Sequence, residues 1–281
     1  MSTARTGDLV SAAQQVRTAV GAFNVATLEH VEAVVSGAER AGRPVIVQIS
    51  ENAVRFHGSQ VAPLLQATLA LSQRADVPVA VHFDHVQDSA LLLDAAVEGF
   101  SSIMFDGSPL EYEQNVVATR AAATWAAGRG VWLEAELGEI GGKDGAHAPG
   151  ARTDPGEAAR FVAATGVDAL AVAVGSSHAM TERTARLDAT LIDRISDAVR
   201  VPLVLHGSSG VPDEELSRAV RAGISKVNFG TILNAAYTSA LRARLLADSQ
   251  VVDPRSYLVA AREEMTDVVE HLLVLLATPP S

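Results

Sequence analysis

Two hydrophobic periods alternate along this chain. Short runs of β-branched and apolar residues are followed by longer Ala- and Leu-rich stretches with apolar positions three and four apart. The short runs predict strands at Ala22–Val25, Val45–Ile49, Val79–His82, Ser102–Phe105, Val131–Glu136, Ala169–Val174, Leu203–Leu205 and Lys226–Phe229. The segments between them are long enough for crossover helices. One is Gln60–Arg74, with Val61, Leu64, Leu65 and Leu69 at helical spacing. Asp154-Pro155 predicts an N-cap followed by proline at the first helical position. Pro212-Asp213-Glu214-Glu215 opens another helix with acids in its first turn. About eight such alternations in 281 residues predict an α/β fold, a (β/α)8 TIM barrel built as a single domain over residues 1–281. Asp253–Leu276 predicts a C-terminal helical extension that packs outside the barrel or reaches another subunit. Gly138–Gly150 breaks the texture, with five glycines in thirteen residues, and predicts a mobile loop over one face.

The polar residues add a second pattern. Nearly every predicted strand ends in a side chain that packing does not require: Asn24, Ser50, Asp84 with His85, Asp106, Glu136, Ser176 to His178, His206 and Asn228. In such a barrel these ends share one face, where catalytic groups collect. His85, His178 and His206 belong to the third, sixth and seventh ends. Each alone reads equally as a surface or helix-capping histidine. Together they could give zinc three ligands and leave a position for substrate. His82 reads as a supporting residue. Two turns rich in glycine and hydroxyls, His206-Gly207-Ser208-Ser209-Gly210 and Asn228-Phe229-Gly230-Thr231, follow the seventh and eighth strands. Backbone N–H groups and a helix N-terminus there suit a phosphate. Neither turn is a P-loop, since Gly-Lys-Ser/Thr is absent.

Composition narrows the chemistry. Apolar content is 48 %, enough for a large core, while aromatics are only 4 %. A net charge of −11 argues against nucleic-acid binding. Cysteine is absent, so any metal sits on His, Asp or Glu. Met1–Arg17 lacks a signal-peptide core, and Val268–Leu276 is too short to span a membrane. A soluble cytoplasmic protein with no membrane contact is expected. No lysine stands at a strand end, since Lys226 begins its strand, which disfavours a Schiff base.

Ordered motifs across nearly the whole chain resemble the class II, zinc-dependent fructose-bisphosphate aldolase family, and its tagatose-bisphosphate aldolase-like branch most of all. They include Gly21-Ala22-Phe23-Asn24-Val25, Gln48-Ile49-Ser50-Glu51, Val81-His82-Phe83-Asp84-His85, Glu134-Ala135-Glu136-Leu137-Gly138, Gly175-Ser176-Ser177-His178, His206-Gly207-Ser208-Ser209-Gly210 and Lys226-Val227-Asn228. The resemblance implies reversible cleavage of a ketose 1,6-bisphosphate (fructose, tagatose or a related phosphoketose) to dihydroxyacetone phosphate and an aldehyde such as glyceraldehyde 3-phosphate. It implies one Zn2+ per chain on His85, His178 and His206, with Glu136 offering an alternative metal position. Asp84 matches the acid/base at the C4 oxygen, and Asn228 the residue that holds the enediolate part of dihydroxyacetone phosphate. Gly207, Ser209, Gly230 and Thr231 match the first phosphate site, with Asn24 and Ser50 also at the substrate. Arg255 matches an arginine that reaches a neighbouring subunit's second phosphate, so a homo-oligomer, dimer or tetramer, is implied. A monovalent cation, Na+ or K+, beside the phosphate is implied as well.

Two departures stand out. Ala179 occupies a position where the family usually has glycine, whose N–H faces the phosphate. Asp144, after Gly141-Gly142, stands in for the family's adjacent loop acids. Arg183 and Arg186, in the segment that follows Ala179, read as solvated charges rather than anion contacts. A metal-dependent hydrolase would need His-x-His on the first strand, which instead ends Phe23-Asn24-Val25. The remaining alternative is a non-catalytic sugar-phosphate-binding or assembly subunit, against which the intact Asp84 and three histidines argue.

Overall fold

In the computed structural model, residues 3–88, 91–92, 99–137 and 152–278 are described. In chain order the elements are α1 (Thr6–Gln15), β1 (Val20–Asn24), α2 (Leu28–Ala41), β2 (Val45–Ser50), α3 (Glu51–Phe56), α4 (Ala62–Ser72), β3 (Val79–Val86) and β4 (Ser102–Phe105). They continue with α5 (Tyr112–Ala127), β5 (Trp132–Glu136), α6 (Pro155–Thr165), β6 (Ala169–Ala171), α7 (Ala189–Ala198), β7 (Leu203–Leu205), α8 (Asp213–Arg221), β8 (Ile224–Phe229), α9 (Thr231–Ala247) and α10 (Pro254–Leu276). A single 3₁₀ turn, Ser208–Gly210, follows β7. The eight strands pair in sequence order, all parallel, and β8 closes onto β1 with Val20 opposite Lys226. The (β/α)8 barrel and the C-terminal helix are therefore as the sequence predicts.

Strand alternation sorts the residues into two compartments. Odd-numbered strand residues such as Phe23, Val47, Phe83, Ile103, Leu133 and Phe229 pack outward into the layer shared with the helices. Even-numbered residues face the barrel axis, except in β6, where the odd-numbered Ala169 and Ala171 do and Leu170 packs outward. At the floor these are apolar: Val20, Ala22, Ile46 and Ala80 pack beneath α1, whose Val10 and Ala13 plug that end. Higher up they turn polar, with Gln48, His82, Ser102, Glu134 and Lys226 all fully buried. Buried polar groups require partners. Lys226 Nζ meets Glu134 Oε2 across the barrel at 2.7 Å.

Helix ends follow the expected signals. Asp154 accepts from the Glu157 N–H at the start of α6, with Pro155 in the first turn. Asp253 caps α10 in the same manner. Gly42 and Gly166 end α2 and α6 in the left-handed region, where glycine carries no Cβ penalty. α9 buries only Leu233 against the molecule, while α10 buries a stripe including Ala261, Met265, Val269 and Leu272. Among the described residues, no helix is long and apolar enough to cross a membrane.

Several strands differ from their predicted bounds, and β8 begins at Ile224, so Lys226 lies inside it rather than at its start. β3 runs on to Val86 instead of ending at His82, because a register shift between Phe83 and Val86 inserts a bulge against β4. His85, in the bulge, has φ 52°. Bulges re-aim side chains at the rims of barrels, and this one turns His85 toward the mouth. β6 stops at Ala171, although Val172 and Val174 stay buried beyond it.

Candidate active site

The C-terminal ends of the strands surround a cavity of about 910 Å³. His85, His178, His206, Asp84, Glu136 and Asn228 line its centre. Gly207, Ser209, Gly230 and Thr231 form one wall with Ala179, while Asn24 and Ser50 also reach the cavity. One predicted substrate residue is elsewhere. Arg255 lies on exposed surface at the start of α10, where it forms a bidentate pair with its own Asp253. Asp144 lies outside the described residues.

His85, His178 and His206 bring their ring nitrogens within 4.8 Å of one another. The proton positions on two of them follow from their partners. His85 donates from Nδ1 to Asp106 Oδ2 at 3.0 Å. His206 donates from Nε2 to Glu134 Oε1 at 2.8 Å, and Glu134 is held in turn by Lys226. Each imidazole therefore turns its unprotonated nitrogen toward the other, His85 Nε2 facing His206 Nδ1 at 3.1 Å. Two lone pairs at that distance repel unless a cation sits between them. A tetrahedral ion with arms of about 2.0 Å to nitrogen has an edge of roughly 3.3 Å. The donor set thus fits a divalent metal held by imidazoles and backed by carboxylates, a common support for metal-ligating histidines. Glu136 forms a second, acid-rich group with His85 and Asp106.

Asp84 stands beside this cluster and is buried. Asn24 donates to its Oδ2 at 2.7 Å, and Gln48 donates to the Asn24 carbonyl at 2.9 Å, which fixes the amide's orientation. Burial alone would raise the Asp84 pKa. His85 and His206 in their protonated forms, Lys226 and the Asn24 hydrogen bond outweigh that and hold it below its ordinary value.

His82 is supporting, and its tautomer is dictated from below. Ser101 donates to the Val81 carbonyl, an acceptor only. Thr6 Oγ1 must then donate to Ser101, Ser102 to Thr6, and His82 Nδ1–H to Ser102 at 2.7 Å. The remaining nitrogen, Nε2, lies 4.0 Å from Asp84 Oδ1. Burial keeps His82 neutral by pushing its pKa well below the ordinary value, with Lys226 adding to the effect.

The wall formed by Gly207, Ser209, Gly230, Thr231 and Ala179 is largely backbone. Gly207 has φ 64°, and a Cβ on it would lie 2.6 Å from the Ser177 carbonyl carbon. Ser209 Oγ accepts the Ile232 N–H at 3.1 Å, tying the turn after β7 to the first turn of α9. Ala179 has φ 58°. Arg183, which reads as a solvated charge in the sequence, is instead an internal tie. Its guanidinium donates to the Val211 carbonyl and to Asp213 Oδ1 at 2.6 Å, joining the segment after His178 to the turn after His206. Arg186 is largely solvated, as expected, with 87 % of its side chain exposed.

The family described as Fructose-bisphosphate aldolase class-II matches residues 4–278. The chain belongs to the class II fructose-bisphosphate aldolase family. It is 36 % identical over 286 residues to the fructose-bisphosphate aldolase of Thermus caldophilus, covering 92 % of this chain and 93 % of that one. It is 36 % identical over 272 residues to the Geobacillus stearothermophilus fructose-bisphosphate aldolase, covering 96 % and 95 %. The crystal structure of the YdjI aldolase from Escherichia coli superposes with a TM-score of 0.86 at 29 % identity, covering 99 % of this chain and 98 % of that one. This class II aldolase is accordingly a carbon–carbon lyase, and its family is generally metal-dependent. The residues that sequence reasoning left without a role, Glu134, Lys226 and Asp106, are those that orient the histidines. Their signal was the alternation Glu134-Ala135-Glu136, which puts two acids on one face of β5.

Proposed function

We infer that this aldolase cleaves a ketose 1,6-bisphosphate reversibly, with zinc as its ion, to dihydroxyacetone phosphate and an aldehyde such as glyceraldehyde 3-phosphate. The observation that carries this is the convergence of three histidines, with His85 Nε2 and His206 Nδ1 3.1 Å apart, beside the buried carboxylate of Asp84. A divalent ion, when bound, supplies Lewis-acid polarisation of the ketose carbonyl. His85, His178 and His206 would hold it, with Glu136 as an alternative ligand.

The rest belongs to the chain's own residues. Asp84, aimed by Asn24, accepts the proton of the C4 hydroxyl as the C3–C4 bond breaks, and returns it in the condensation direction. Asn228, whose amide lies 3.0 Å from His206 Nε2, holds the three-carbon fragment that keeps the negative charge. Gly207, Ser209, Gly230 and Thr231 hold the first phosphate through the turn after β7 and the start of α9, with a Na+ or K+ ion beside it. Ser50 borders the other half of the sugar. Asp144 is the proton carrier assigned to C3. A second copy of the chain supplies Arg255 to the distal phosphate.

The test is condensation of dihydroxyacetone phosphate with a panel of aldehydes by the zinc-loaded enzyme, with product stereochemistry read out. Turnover is expected, abolished by chelation and restored by zinc. Asp84→Ala is expected to lose roughly 10³-fold in kcat. Covalent inactivation by borohydride with substrate would overturn the metal mechanism. Sugar-phosphate binding without turnover would favour a binding or assembly subunit instead.

A further inference from the structure

The two sides of the mouth differ in how they can meet an anion. On the β7–β8 side the wall is backbone and hydroxyl. On the β2–β4 side, on the helix that follows β2, two strands from β8 and three from β7, stands a guanidinium. Arg55, on α3, is the one lysine or arginine among the described residues that line the cavity. Its side chain is 59 % exposed. It is also held in place. Glu51, 3 % exposed, pairs with Arg55 through Oε1 and takes the Gln87 and Asp88 N–H groups on Oε2 at 2.8 and 3.1 Å. Both carboxylate oxygens are thus committed, and the guanidinium is fixed against the end of β3, the strand that carries Asp84 and His85. A guanidinium has five donors in a planar fork. Those not used on Glu51 remain for a ligand.

We propose that Arg55 is a specificity residue for the aldehyde half of the substrate, selecting aldehydes that end in an anion, phosphate or carboxylate. This rests on the aldolase reaction proposed above. With the first phosphate on the β7–β8 wall and the scissile bond at the metal, the rest of the sugar points toward the β2–β4 side. A negative end group there meets Arg55 within its own chain. Without that cation it would meet, within its own chain, Glu51 and a net negative charge.

The experiment compares kcat/KM for condensation of dihydroxyacetone phosphate with glyceraldehyde 3-phosphate, glyceraldehyde and succinic semialdehyde. The enzymes are the zinc-loaded wild type, Arg55→Gln, Arg55→Lys and Arg255→Gln. In Arg55→Gln the preference for glyceraldehyde 3-phosphate over glyceraldehyde is expected to fall on the order of tenfold to a hundredfold, the size of a lost charge-assisted contact. The change should lie mainly in KM for the aldehyde, and Arg55→Lys should restore part of it. A parallel loss with succinic semialdehyde means that the residue reads charge; its absence narrows the role to phosphate. If Arg55→Gln slows all three aldehydes by one factor, the residue only props Glu51 and the proposal is wrong. It is also wrong if only Arg255→Gln changes the preference. A wild-type enzyme that condenses none of the aldehydes overturns the aldolase reaction itself, a result distinct from either.

Discussion

The turns after β6 and β7 meet one requirement with different residues. Each follows a histidine of the three-histidine cluster with a residue in the left-handed region, Ala179 at φ 58° and Gly207 at φ 64°. The backbone conformation is nearly the same, so conformation alone does not demand glycine. Space does. At residue 207 a Cβ would press on the backbone of Ser177, while at 179 the methyl group is accommodated at the cavity wall. A left-handed alanine costs roughly 1–2 kcal/mol. The departure from the family's usual glycine at 179 is therefore a moderate local cost. The same change at 207 would force one turn away from the other.

The largest expected effect tests what the turns share. His178→Ala and His206→Ala should each lose bound zinc, measured by elemental analysis, and reduce turnover by roughly 10³-fold or more. If either variant kept full metal content and rate, the two turns would not converge on one ion. Next comes the contrast itself. Gly207→Ala should raise KM for the ketose bisphosphate by roughly tenfold to a hundredfold, since the displaced N–H groups lose a charged acceptor. A KM within twofold of wild type would mean that the turn relaxes at no cost. Ala179→Gly should act in the opposite sense, raising Tm by about 2 °C if about 1 kcal/mol of strain is relieved. A lower Tm would show that Ala179 is not strained.

The smallest effect concerns the tie between the turns. Burial disfavours the charged form of Asp213, but Arg183 and His271 outweigh it and hold the Asp213 pKa below its ordinary 3.8. A carboxylate with a depressed folded pKa stabilises the fold above its unfolded value, and that contribution fades as pH falls through the folded one. Tm should therefore drop more steeply between about pH 4 and pH 3 in the wild type than in Asp213→Asn. Equal slopes would mean that the Arg183–Asp213 contact adds nothing to stability.

The barrel was legible because alternation and crossover length constrain it strongly, and the mouth because polar residues at strand ends have no packing reason to be there. What escaped sequence reasoning came from local geometry or distant pairing. The bulge in β3 carries no compositional mark, so alternation ended that strand at His82, four residues early. The Glu134–Lys226 pair joins residues 92 apart, and neither signals the other. Asp106 was visible as a polar strand end, but only the bulge brings His85 Nδ1 to it. Arg183 looked like a surface charge because nothing in its neighbourhood reveals that Val211 and Asp213 fold back beside it. Arg55 lies four residues beyond Glu51, and nothing in the sequence around it marks it as facing the cavity.

The first turn of α1 is the kind of leading segment that is often trimmed or tagged. Here its Thr6 hydroxyl relays an orientation that starts at a backbone carbonyl and ends by deciding which nitrogen of His82 is protonated. The face that His82 turns toward Asp84 is therefore chosen at the opposite end of the barrel. A change as small as Thr6→Val would alter the polarity of the active-site floor while leaving every residue of the mouth in place.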